Sequence, residues 1–236
     1  MLSNSTTTVA QIAANSLAAV KVFEKFGIDY CCGGKRPLGE VCQSRGLSAD
    51  QVQAELDAAL AVPAAPTTDW NQARLSDLAA HIVRTHHDYL RNELPFIAAR
   101  LEKVSRVYNQ RYGPTLVGLP EVFGGLRSEI VLHIGKEERI LFPFISRSEE
   151  AYLAGLPLPP TPFGGLANPI RMMEVEHDEA GAALARIREI TADFSVPEYA
   201  CVTYKALISG LQELEQDLHL HIHLENNILF PRALKL

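Results

Sequence analysis

One eleven-residue pattern occurs twice in this chain and restricts what it can fold into. Residues 133–143 read His-Ile-Gly-Lys-Glu-Glu-Arg-Ile-Leu-Phe-Pro, and residues 221–231 read His-Ile-His-Leu-Glu-Asn-Asn-Ile-Leu-Phe-Pro. Both reduce to His-Ile-x-x-Glu-x-x-Ile-Leu-Phe-Pro, aligning His133 with His221 and Glu137 with Glu225. On an α-helix, residues four apart stand above one another on one face. Each copy therefore aims an imidazole and a carboxylate in one direction. Pro143 and Pro231 are expected to stop or bend their helices at the same place. The repeat reaches further back, because His87-Asp88 precedes the first copy and His177-Asp178 the second. His87 and His133 are 46 residues apart, and His177 and His221 are 44 apart. Each half reads as a helical hairpin, and two hairpins make an all-α four-helix bundle with four His and two Glu facing inward.

Six such ligands suit a transition metal. Imidazole and carboxylate together favour iron, manganese, zinc or copper over magnesium and calcium, which prefer all-oxygen sites. Two metals fit if Glu137 and Glu225 each bridge both ions, with positions left for an oxo or hydroxo bridge and an exogenous ligand. An open site of that kind, holding iron, binds or reduces dioxygen or nitric oxide. Any one of these histidines alone would read as packing or surface; the doubled spacing is what singles them out. His81, His86, His219 and His223 lack that support and stay outside the expected site. His219 and His223 lie about 200° around the helix from His221, so at most one side of that cluster is expected to face inward. Glu129, one turn before His133, and Glu176, next to His177, are candidates to accept a hydrogen bond from a ligand imidazole or to handle protons. The alternative for both is a solvated helix charge. Leu141-Phe142 and Leu229-Phe230 read as bundle core.

The rest of the chain is consistent with a larger and a smaller helical unit. Of 236 residues, 47% are hydrophobic and 21% charged, which permits a sizeable core. A net charge of −6 argues against nucleic acid as a partner, since phosphates need a basic face. The first twenty residues contain no Lys or Arg, unlike a signal peptide, and no stretch is long and apolar enough to span a membrane, so a cytoplasmic location is expected. Residues 8–26 read as one helix, capped by Thr8 and stopped by Gly27. Two short helices come next, the second opening at Ser48 with Gln51 completing a capping box. Residues 61–68 read as a linker. The expected division is a small N-terminal domain over 1–62, a linker over 63–75 and a bundle over 76–236. In the bundle a helix from Ser76 carries His87 and is kinked at Pro95. The next covers roughly 119–142, 151–169 form a connection, Pro169 opens the third helix and Pro197 the fourth.

Between the first helix and the short ones lies Asp29-Tyr30-Cys31-Cys32-Gly33-Gly34-Lys35-Arg36. The cations nearby are expected to favour a thiolate, and the two glycines to allow close approach to the backbone. Cys42 and Cys201 read as isolated packing residues. Four cysteines so placed do not make a secreted disulfide framework.

Residues 29–35, 133–143, 176–181 (Glu-His-Asp-Glu-Ala-Gly) and 221–231 together closely resemble the di-iron proteins of iron–sulfur cluster repair, the RIC family. The resemblance covers nearly the whole chain. It implies an ScdA-type N-terminal domain joined to a haemerythrin-like four-helix bundle. It also implies two non-haem irons, and repair of iron–sulfur clusters damaged by nitric oxide or oxidants. By its motifs the iron ligands are His87, His133, Glu137, His177, His221 and Glu225, and the family's cysteine pair falls on Cys31 and Cys32. His87 is preferred to His86 because it keeps the ungapped distance to Arg91 and Leu94-Pro95. Oxygen-carrying haemerythrins use a fifth histidine one turn after the one matching His177; here that position is Gly181. The partners implied are damaged iron–sulfur proteins and the gases nitric oxide and dioxygen, with a homodimer also allowed. Either iron donation or nitric oxide reduction fits. A haemerythrin-like sensor or store of dioxygen, nitric oxide or iron is the non-enzymatic alternative, and a nitric oxide reductase the enzymatic one.

Overall fold

Thr8 opens the chain's first helix by reciprocal hydrogen bonds with Gln11, the capping box that its side chain allows. The computed structural model describes residues 7–61, 68–112, 116–160 and 164–236. Helix α1 (Val9–Asn15) ends where one continuous helix is expected, because Ser16 adopts extended backbone and caps α2 (Leu17–Lys25) through Ala18 N–H at 3.2 Å. A serine hydroxyl competes with the helix ladder for backbone donors, and here it wins. Gly27, at φ 63°, stops α2 as expected. Helices α3 (Leu38–Arg45) and α4 (Ala49–Ala61) come next, with Ser48 Oγ accepting from Gln51 N–H at 3.3 Å. Val9, Phe23, Tyr30, Val52 and Leu56 form the core of this small unit, and Ile222 of the bundle joins it. Residues 62–67, most of the 61–68 stretch and the first part of the expected 63–75 linker, lie outside the described residues.

Four long helices make the bundle. The first runs through α5 (Leu75–Ile82), a π-helical turn (Val83–His87) and α6 (Asp88–Tyr112), with Pro95 inside α6. The second runs through α7 (Leu119–Lys136), a π turn (Glu137–Leu141) and α8 (Phe142–Leu153). The third is α9 (Ala167–Ile190); the fourth runs through α10 (Val202–Leu224), a π turn (Glu225–Leu229) and α11 (Phe230–Ala233). Pro143 and Pro231 therefore do not stop their helices. Directly before each, the wider turn lets Phe142 N–H reach Glu137 O and Phe230 N–H reach Glu225 O, five residues back. That slack relieves the clash a proline ring otherwise makes with the preceding turn. Pro197 does not open the fourth helix either: a turn intervenes and α10 begins after Cys201. Cys201 is exposed rather than packed, its N–H donating to Tyr108 Oη at 2.7 Å.

Helix α6 packs most closely on α10, and α7 on α9. One core lies toward the far ends of these helices, around Leu94, Ile97, Phe123, Leu184 and Leu211. A second, around Leu78, Ile82, Ile145, Met173 and Leu229, is closed by α5, α8 and α11. Glu149 of α8 caps α5 by accepting from Leu75 N–H at 2.6 Å and Ser76 N–H at 3.1 Å. Among the described residues the only β pairing is the isolated Thr8–Pro37 bridge, and no helix is long and apolar enough to cross a membrane.

Candidate metal centre

The six repeated residues meet between the two bundle cores. Each of the three π turns begins or ends on one of them: His87 ends the first, Glu137 begins the second and Glu225 the third. A π turn rotates the residues after it relative to an α register and is common at functional sites. Glu137 and Glu225 are fully buried, and His87, His133, His177 and His221 are buried around them.

The geometry sorts these groups into two overlapping sets. His87 Nε2 lies 3.1 Å from His221 Nε2, and His177 Nε2 lies 3.0 Å from His133 Nε2. Glu137 places Oε2 3.4 Å from His87 and Oε1 3.3 Å from His133. Glu225 places Oε1 3.1 Å from His221 and Oε2 3.1 Å from His177. Each carboxylate thus offers one oxygen to each histidine pair. His87, Glu137, His221 and Glu225 form one group able to hold a cation, and His133, Glu137, His177 and Glu225 form the other. Both Glu137 oxygens and Glu225 Oε2 are buried without a hydrogen bond. Buried carboxylate oxygens without a donor are costly, and imidazole nitrogens beside them complete a donor set that fits cations.

Electrostatics points the same way. Burial and Glu225 push the Glu137 carboxyl up, yet the imidazoles of His133 and His87 outweigh them and hold it below the ordinary carboxylate range. Glu225, against its burial, is held well below that range by His221 and His177. Burial disfavours charge on His133, but Glu137, Glu225 and Glu176 lift its pKa to about 9.

Outer partners orient the rings. Glu138 accepts from His87 Nδ1 at 2.7 Å and is held by Arg91. Glu176 accepts from His133 Nδ1 at 2.7 Å, across the bundle rather than from its neighbour His177, and is held by Lys136. His177 Nδ1 pairs with Asn226 Oδ1 at 2.8 Å. Glu138 and Asn226, which directly follow the two carboxylates in the repeat, were not singled out by spacing. Among the described residues no hydrogen bond or ion pair joins Glu129 to a ligand imidazole; it is exposed at a cavity of about 170 Å³ whose lining includes Leu90, Ile134 and Ile222 and which reaches His133, His177 and His221. Phe142 and Phe230 are core residues, as expected, and also stack on His87 and His177.

His223 stays outside both groups, as expected, but is not a surface ring. Helix α10 is covered on two sides, so both His221 and His223 are buried. His223 meets Tyr30 and Asn227 of the contact with the small unit, where burial holds its pKa down at about 4.

The cysteine loop docks beside the centre. Asp29 gathers the backbone N–H groups of Cys31, Cys32 and Gly33 at 2.8–3.0 Å. A Cβ at Gly34 would lie 2.5 Å from Tyr30 O, so the loop closes only around a glycine. Asn227 donates to Tyr30 O at 2.9 Å, and Cys32 Sγ lies 3.6 Å from His177 O. The same sulfur would be 3.6 Å from a Cβ at Gly181, the position where carriers have their fifth histidine. Cys31 is not set up as a thiolate: Lys35 turns to Glu174 at 3.2 Å, and Cys32, burial and Asp29 push the Cys31 thiol well above its ordinary value.

Residues 78–233 match the haemerythrin HHE cation-binding domain, and residues 5–60 match ScdA_N, a domain of unknown function. The iron–sulfur cluster repair protein YtfE of Pectobacterium carotovorum subsp. carotovorum (strain PC1) is 39% identical over 217 residues, 92% of this chain and 91% of that protein. Its counterpart of the same name in Dickeya chrysanthemi (strain Ech1591) is 38% identical over 227 residues, 96% of each chain. That of Yersinia pseudotuberculosis serotype IB (strain PB1/+) is 38% identical over 218 residues, 92% of this chain and 91% of the other.

Proposed function

The chain belongs to the haemerythrin HHE cation-binding family and, with its ScdA_N segment, to the iron–sulfur cluster repair proteins, and from that premise we propose that it repairs clusters damaged by nitrosative or oxidative stress. The cations are two irons. His87 and His221 would hold one and His133 and His177 the other, with Glu137 and Glu225 placed to serve both. Bound there, the irons supply releasable metal for a damaged cluster and one-electron chemistry toward nitric oxide or dioxygen. The observation supporting this reading is that each buried carboxylate turns one oxygen to each histidine pair.

The chain's own residues then have distinct tasks. Glu138 and Glu176 fix the tautomer and plane of two ligand rings. Glu129 stands at the cavity mouth, where it can take or give a proton. Cys32 lies against the His177 backbone on a loop held by Asp29, and with Cys31 it receives iron or engages the client protein. In this arrangement residues 1–62 and 76–236 act as two domains joined by 63–75. The apolar cavity supports a second reading, a gas-binding sensor or a nitric oxide reductase, because it suits small apolar ligands.

The test is metal analysis with Mössbauer spectroscopy, followed by reactivation of a nitric-oxide-damaged iron–sulfur enzyme. Two irons per chain and reactivation by wild type are expected. A folded protein with no iron sinks the proposal, and catalytic nitric oxide turnover without reactivation moves it to the second reading. Full reactivation by an iron-loaded Cys31→Ser/Cys32→Ser variant would remove the thiols from the mechanism.

A further inference from the structure

Trp70 is the chain's single tryptophan and lies half-buried on the turn before α5. Its ring stacks on His81, with centroids 4.5 Å apart and planes 29° apart. His81 meets His86 edge-on at 6.1 Å, and His86 lies parallel to His221 at 5.3 Å, with 5° between planes. His221 in turn reaches His87 at 4.9 Å. An unbroken file of rings therefore runs from a water-facing indole to the candidate metal ligands.

Each ring in the file is pinned. Arg232 clamps the Trp70 turn by donating to Trp70 O at 2.5 Å and Ala73 O at 2.6 Å. Thr85 Oγ1 lies 3.3 Å from His81 Nδ1, and Asp217 accepts from His86 Nδ1 at 2.8 Å. The second half of the internal repeat has no matching file. The counterpart of His86 in the second half is Glu176, which hydrogen-bonds a ligand ring instead of stacking on one, and the counterpart of His81 is Arg171. The other rings stacked on the site, Phe142 and Phe230, are buried.

We propose that Trp70, His81 and His86 form the route by which electrons reach the metal centre. The inference rests on the reading that the centre holds iron. A one-electron donor, a reduced flavin or iron–sulfur carrier, loses one electron at Trp70, and one ferric ion gains it and becomes ferrous. A second donor reduces the second ion. No bond in the rings forms or breaks and no charge stays on them: they are a bridge of closely spaced π systems through which tunnelling falls off less steeply than across gaps.

The single tryptophan makes the route observable without turnover. The excited-state lifetime of Trp70 is measured metal-free and iron-loaded in wild type, His81→Leu and His81→Phe. Loading should shorten it in wild type and His81→Phe, and several-fold less in His81→Leu. Energy transfer through space does not depend on the residue at 81, so equal shortening in all three overturns the route. In stopped flow with reduced methyl viologen, ferric protein should be reduced an order of magnitude more slowly in Trp70→Leu and His81→Leu at unchanged iron content; equal rates overturn it. Iron content, measured first, separates the two readings. A folded protein without iron sinks the metal assignment, whereas iron-loaded variants with unaltered lifetimes and rates sink the route alone.

Discussion

At the scale of single residues, Glu137 and Glu225 decide the metal content. Each serves both histidine pairs, so Glu137→Ala or Glu225→Ala should strip iron from both positions rather than one. His219→Ala should leave iron unchanged, because that ring packs on Tyr30 and not on the centre; metal analysis of the three purified variants distinguishes these outcomes. Glu138→Gln and Glu176→Gln keep the shape and lose the charged acceptor behind His87 and His133. Their iron affinity should fall by about 10–100-fold, measured by competition with a chelator. Four central residues are legible because a spacing of four on a helix has one geometric meaning, stated twice; His87 and His177 are legible because each precedes its copy at nearly the same distance. Glu176 was legible as an acceptor but not as the partner of His133, since adjacent residues on a helix point about 100° apart. Glu138 and Asn226 had a signal that spacing from histidine hides: both stand directly after a repeated glutamate.

At the scale of elements, the helices were legible and their interruptions were not. Proline reads as a breaker, and only the backbone reveals that a π turn placed before Pro143 and Pro231 carries each helix onward. Nor does any local signal link Glu149 to the start of α5, because the two lie over seventy residues apart. That carboxylate gives a pH prediction. Burial pushes it up, but the N–H groups of Leu75 and Ser76, with Arg74 nearby, hold it below its ordinary value. A carboxyl with a lowered folded pKa stabilises above its unfolded pKa, and the contribution is lost as pH falls through the folded value. Glu149→Gln should lower stability by about 1–2 kcal/mol at neutral pH. The deficit should shrink as pH falls below the carboxylate range. Urea denaturation across that range checks both sign and window.

At the scale of the whole molecule, the small unit is seated on the bundle by contacts that composition and periodicity do not encode. Tyr30 between His219 and His223, Asn227 on Tyr30 O and Lys35 on Glu174 are long-range pairings of unremarkable residues. The cysteine loop was legible as a feature; its seat over Gly181 was not. Metal should stabilise the assembly, since the folded state gathers the ligands that the unfolded chain leaves apart. With free iron a thousandfold above its dissociation constant, linkage gives about 4 kcal/mol. Holo protein should then melt roughly 10 °C above apo protein. Coincident calorimetric transitions with confirmed metal contents would contradict a centre built into the core.

The cross-pairing of the repeat has one more consequence. His87 partners His221 and His133 partners His177, so neither hairpin owns a complete cation position. A single hairpin could assemble the same centre only by meeting a second copy about a two-fold axis, and its metal content would then fall on dilution. Joining both halves in one polypeptide removes that dependence on mass action. It also lets the halves diverge: one carries Glu176 and Asn226, while the other has His86 and Glu138 in the matching places.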